Sequence, residues 1–160
     1  MGVWNSFFSA MVSAAAALSG LIFVGVSFSL TRILSIPNLP NRALESLILL
    51  LTVLIISALC LVPNQSVDAT GVEVLVTGVV TWVITLRLDI SIIRKTEAKY
   101  KRYYVQNILF TQCSLLPFII SGFMLLHQGL PGMYWLVPGI ICSLVKSLVD
   151  AWVLLVEIHR

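Results

Sequence analysis

The sequence predicts an all-α polytopic membrane protein: a bundle of five transmembrane helices, N-terminus outside and C-terminus cytoplasmic. Three observations lead there. Hydrophobic residues make up 59% of the 160 residues and charged ones only 11%. With a mean hydropathy of +1.02, that is far more apolar than an ordinary globular domain. Five apolar runs each approach the roughly 20 residues that cross hydrocarbon at about 1.5 Å per residue. Threaded five times, the chain places its loop lysines and arginines on one side only. Residues 1–160 therefore read as a single transmembrane domain.

The first span, about Ser9 to Thr31, has no basic residue before it. A secretory signal should begin with a positive segment, so this is a retained helix. Gly2 with Ser6 fits a myristoylation pattern, but on the side the topology makes external. Pro37 and Pro40 stop helix propagation, and Asn41 is placed to cap the second span, Arg42 to Val62. Pro63 ends it. The loop from Asn64 to Gly71 holds Asp68 and no basic residue; its sequon, Asn64-Gln65-Ser66, lies too near the bilayer to weigh heavily. Thr70 and Glu73 fit a capping box that starts the third span, Gly71 to Ile93, which passes Arg87 and Asp89. A basic loop, Arg94 to Arg102, precedes the fourth span, Tyr103 to Leu126, where Pro117 predicts a kink. The fifth span is Met133 to Val156.

This threading sends Arg32, Arg42, Arg87, Arg94, Lys95, Lys99, Lys101, Arg102 and Arg160 to one face and no lysine or arginine to the other. The positive-inside rule makes that face cytoplasmic. A four-span arrangement would scatter these charges across both faces. Tyr100, Tyr103 and Tyr104 fit an aromatic belt at the cytoplasmic interface, and Trp4, Tyr134 and Trp135 one outside.

The tenth basic residue, Lys146, lies inside the fifth span with Asp150. Counted from Val156, Lys146 is roughly 15 Å deep. Each charge costs about 2.5–3.5 kcal/mol at a helix centre, whereas each large apolar residue returns about 0.3–0.6 kcal/mol. This helix scarcely enters lipid alone, so its charged side must face protein or water. At i and i+4 the two groups can touch. They form either a structural ion pair or part of an ion pathway.

Polar and small residues recur on the other spans. On the first helix Ser6, Ala10, Ser13, Ala17, Gly20, Val24, Ser27 and Thr31 form one stripe. Such a stripe packs against neighbouring helices, lines a pore or faces another subunit. Glu73, Thr77, Thr81, Thr85 and Asp89 align on the third helix, and Asn107, Thr111, Ser114 and Ser121 on the fourth. The second helix largely lacks such a seam. Matching depths across the bundle sets Lys146 level with Gly20, Thr52, Thr81 and Ser114, and Asp150 level with Gly25, Thr85 and Thr111. The predicted intramembrane polar site is therefore Lys146, Asp150, Thr81, Thr85, Thr111 and Ser114. The helix-packing or pore-lining stripe is represented by Ser13, Ala17, Gly20 and Ser27.

Enzymatic chemistry finds little support. His127 and His159 stand a membrane thickness apart, and no phosphate loop, nucleophile elbow or metal-ligand constellation is present. No cofactor, metal or nucleic acid is expected. Cys60, Cys113 and Cys142 are widely spaced and read as small packing residues. The basic loop has a topological role, with attraction to anionic headgroups as a secondary effect.

The stretch SAAAALSGLIFVGVSFSLTRILSIPNLPNRALESLILLL, Ser13 to Leu51, resembles the opening of small bacterial inner-membrane proteins. These share a small-residue first helix, a turn of the type R-I-L-x-x-P-x-L-P-x-R-A-L-E and a leucine-rich second helix. Some are labelled modulators of the membrane-anchored protease FtsH. The resemblance covers about a quarter of the chain, implies a bacterial inner membrane and transfers no functional residues. Two functions follow as expectations: a homo-oligomeric channel or transporter for an ion or small solute centred on Lys146 and Asp150, or a non-transporting accessory subunit of a larger membrane complex such as a membrane-anchored protease. A third, a lipid or hydrophobic-ligand binder, requires an apolar pocket open to one leaflet.

Overall fold

The apolar runs become helices joined by short turns in the computed structural model, which describes residues 4–28, 30–35, 39–95 and 101–159. Helix α1 is Asn5–Phe28, α2 Leu30–Ser35, α3 Leu39–Leu59, α4 Val67–Lys95 and α5 Lys101–Gln128; a 3₁₀ turn, Leu130–Trp135, leads into α6, Leu136–His159. No strand occurs among the described residues. Among the described residues five helices are long and apolar enough to cross a membrane: Asn5–Phe28, Leu39–Leu59, Val67–Ile93, Val105–Gln128 and Leu130–Leu154. Gly2, Pro37, Lys99, Tyr100 and Arg160 lie outside the described residues, as do the side chains of Arg32, Arg94, Lys95, Lys101, Arg102, Tyr103, Tyr104, Glu157 and His159.

Helix boundaries move for local reasons. Helix α3 starts at Leu39, ahead of the expected Asn41 cap, because Pro40 is tolerated in a first turn, where its missing N–H has no partner to lose. Helix α4 starts four residues early, at Val67 rather than Gly71. Ser66 is its cap: the Ala69 N–H donates to Ser66 Oγ at 3.2 Å. Thr70, the expected cap, is instead inside the helix and donates to the Ser66 carbonyl at 3.1 Å. Glu73 accepts from Gln65 Nε2 at 2.6 Å. Asn64 takes φ 58 in this turn, a left-handed conformation that asparagine tolerates. Helix α5 continues through Pro117.

Helix α1 packs on α3, α3 on α4 and α6, and α5 on α4 and α6. The indole of Trp4 meets Tyr134 edge-on with ring centroids 5.0 Å apart, so the start of α1 lies beside the turn into α6. Cys60, Leu61 and Val67 belong to the same apolar cluster. At the other end Ile33, Leu39, Ala43 and Leu154 form a second cluster. The start of α1 and the end of α6 thus lie at opposite ends of the bundle. Helices α4 and α5 approach most closely at Gly122, where a Cβ would stand 2.7 Å from the Leu75 backbone.

Candidate functional site

Helix α6 carries Lys146 and Asp150 one turn apart, and their surface exposures are 1% and 3%. Lys146 Nζ donates to Asp150 Oδ2. A second carboxylate approaches from α3: Glu45 Oε1 lies 3.8 Å from Lys146 Nζ. That same oxygen accepts a hydrogen bond from Thr111 Oγ1 of α5. Helix α4 brings a third carboxylate, Asp89, which accepts from Gln112 Nε2 of α5 at 3.2 Å. It lies within electrostatic reach of Glu45, Lys146 and Asp150. Arg42, also buried, precedes Glu45 by about one turn on α3. Ser147 Oγ donates to the Ser46 carbonyl at 3.1 Å, fastening α6 to α3 beside the cluster.

The five buried charged side chains among the described residues are Arg42, Glu45, Asp89, Lys146 and Asp150. They come from α3, α4 and α6, with α5 supplying neutral donors. Formally three are acids and two are bases, one acid in excess. Glu45 Oε2 and Asp89 Oδ1 have no hydrogen-bond partner although both are buried, an expensive condition for a carboxylate oxygen. One turn beyond the cluster, Leu39, Ala43 and Leu154 close one end; Leu49, Val53, Leu115, Phe118 and Ile140 close the other. The charges are packed between these two apolar plugs.

Of the residues expected at the site, Thr111 joins the cluster through Glu45. Thr81 accepts from Thr52 Oγ1 at 3.1 Å, toward the opposite end of the bundle from Glu45. Thr85 donates to the carbonyls of Thr81 and Trp82, each at 3.0 Å, and Ser114 to that of Phe110 at 2.9 Å. All three are buried, and the protons of Thr85 and Ser114 serve their own helices. The partner of Lys146 on α3 is Glu45 rather than a residue level with Thr52, because the lysine side chain runs toward Asp150 and descends a turn. The cluster therefore sits below the expected depth.

Three expectations are corrected. Helix α3 does have a polar seam, with Arg42, Glu45, Ser46, Thr52 and Ser57 all buried. Arg42, counted as a surface charge for topology, is inside the bundle at 5% exposure. Of the roles expected for the small-residue stripe of α1, packing against this chain's own helices is not seen among the described residues: Ser13, Ala17, Gly20 and Ser27 are exposed, and nothing lies within 4 Å of a Cβ built on Gly20. The inward side of α1 is instead Phe8, Ala15 and Ile22. Arg42, Glu45, Asp89 and Gln112 are the members that sequence reasoning missed. Arg42, Glu45, Leu49, Thr52 and Ile56 step by threes and fours, a pattern that could have exposed the first two.

Two further features bear on chemistry. An apolar crevice of about 190 Å³ opens between α1, α2 and α6, among Ile22, Gly25, Ile33, Ala151 and Leu154. Burial, helped by the nearby charge of Glu73, pushes the Cys60 thiol up to about 12. It stays protonated and inert. Among the described residues no three of His, Cys, Asp or Glu gather as a metal site.

Fold and site together give an all-helical protein whose described residues include five helices long and apolar enough to cross a membrane, which suggests an integral membrane protein, and a buried charge cluster. No protein-family model, no curated protein and no solved structure matches the chain.

Proposed function

We propose that this protein is a small non-enzymatic channel or transporter for an ion or small solute. It acts as a homo-oligomer in a bacterial inner membrane, N-terminus outside and C-terminus cytoplasmic, with the cluster around Lys146 as its ion-handling point. The observation that carries this is the excess carboxylate: a purely structural network would neutralise its charges and satisfy its oxygens, since each shortfall is costly in an apolar interior. Among the described residues the buried acids outnumber the buried bases by one, and two buried carboxylate oxygens lack donors. Intramembrane ionisable groups of this kind mark ion and proton pathways. The apolar plugs suit an occluded state that opens to one side at a time. The exposed stripe on α1 supplies a face for a second copy.

The test is ion flux into proteoliposomes, comparing the native chain with Lys146→Leu/Asp150→Leu. Flux in the native protein that is abolished or altered in selectivity in the variant is expected. Equal flux, or none in either, ends the proposal. The competing reading, an accessory subunit that docks on a larger membrane complex such as a membrane-anchored protease, draws on the direct Lys146 to Asp150 bond and the unoccupied face of α1. Co-purification lost on Gly20→Leu, with no flux in the native chain, favours it.

A further inference from the structure

We infer that the cluster binds an exchangeable proton at Asp89, within reach of Glu45, and that the ion this site takes is H⁺ rather than a metal cation. With Arg42 and Lys146 charged, ionising Glu45, Asp89 and Asp150 together leaves one negative charge in excess among the described buried residues. Neutralising one carboxyl is the ordinary response of such a site. A metal ion requires several oxygens converging on one point, and hard cations take about six; among the described residues no such group of three acids, histidines or thiols forms. A proton requires one carboxyl oxygen.

The neighbours select which carboxyl. Asp150 is bonded to Lys146. Glu45 accepts from Thr111 and lies 3.8 Å from the same ammonium. Asp89 is held by the neutral amide of Gln112 at 3.2 Å. The groups acting on it from the packed helices are Glu45 from α3, with Arg42 beside it, Gln112 from α5, and Lys146 and Asp150 from α6. The charged groups acting directly on Asp89 are Glu45, Lys146 and Asp150; two are acids, the lysine is already engaged by Asp150, and Arg42 acts on Glu45. Asp89 Oδ1 and Glu45 Oε2 are the two open carboxylate oxygens. Binding forms one O–H bond at Asp89 from hydronium and leaves one water molecule; release breaks that bond, and no electron changes hands. The charge count among the described residues and the two open carboxylate oxygens together support the proton's presence, while its use as a transported or coupling ion rests on the transport reading.

Infrared spectroscopy of the full chain in proteoliposomes tests this. At neutral pH the native protein should show the carbonyl band of a protonated carboxylic acid. Asp89→Asn should remove it, whereas Asp68→Asn, at an exposed position in the first turn of α4, should leave it. Gln112→Leu, which deletes the amide donor, should shift the band's frequency and serves if Asp89→Asn does not fold. A native protein without the band, a band intact in Asp89→Asn, or one unmoved in Gln112→Leu overturns the inference. A band that behaves as expected in a protein with no flux keeps the proton site and ends the transport reading. Flux without the band does the reverse.

Discussion

The inner face of α3 and the outer face of α1 share a helical spacing and have opposite fates. On α3, Arg42, Glu45, Ser46 and Thr52 are buried; on α1, Ser13, Ala17, Gly20 and Ser27 are exposed. The hydroxyls of α1 satisfy themselves, Ser13 donating to the Ser9 carbonyl at 3.0 Å and Ser27 to that of Phe23 at 2.8 Å. Lipid tails are as apolar as leucine, so a helix loses little by turning small residues outward. A guanidinium or carboxylate turned outward costs about 2.5–3.5 kcal/mol. Charge, far more than side-chain size, decides which face of a membrane helix turns inward.

The comparison is broken most forcefully by removing Lys146 alone. Lys146→Leu strands Asp150 and Glu45 beside Asp89, and the expected loss is about 3–5 kcal/mol, the usual cost of breaking a buried pair, read from unfolding in mixed micelles. Gly122→Leu comes next, because its Cβ collides with the Leu75 backbone. Forcing α4 from α5 should cost about 1–3 kcal/mol, measured the same way. Thr52→Val deletes the 3.1 Å bond to Thr81 and should cost about 0.6–1.7 kcal/mol. The smallest effect belongs to α1: Gly20→Leu meets no neighbour within 4 Å. Monomer stability should stay within about 0.5 kcal/mol, while cross-linking between copies in proteoliposomes should fall if a second copy covers that face.

Much of the fold was legible because apolar run length and proline breaks act locally. The same locality hid the rest. Lys146 and Asp150 stood out as charges in the middle of an apolar run. Glu45 did not, because an acid in the first turns of a helix has a ready explanation in the helix dipole. Asp89 fell in a visible series with Thr81 and Thr85, yet its nearness to Arg87 and the basic loop made it look like surface. That both belong to one cluster depends on how α3, α4 and α6 rotate about their axes, and rotation is fixed by charges satisfying one another across helices. Thr85 and Ser114 lie on buried faces, but hydroxyls in apolar surroundings readily bond the carbonyl of the preceding turn, so burial alone did not make them ligands.

The most direct measurement is a double-mutant cycle of unfolding with Lys146→Leu, Asp150→Leu and both together. Deleting the pair leaves the cluster's net charge unchanged, so the double variant should unfold close to the native protein and well above either single variant, with a coupling at least as large as the Lys146→Leu loss of about 3–5 kcal/mol. Single losses that simply add would place the two groups outside a shared buried site and contradict the enclosed cluster.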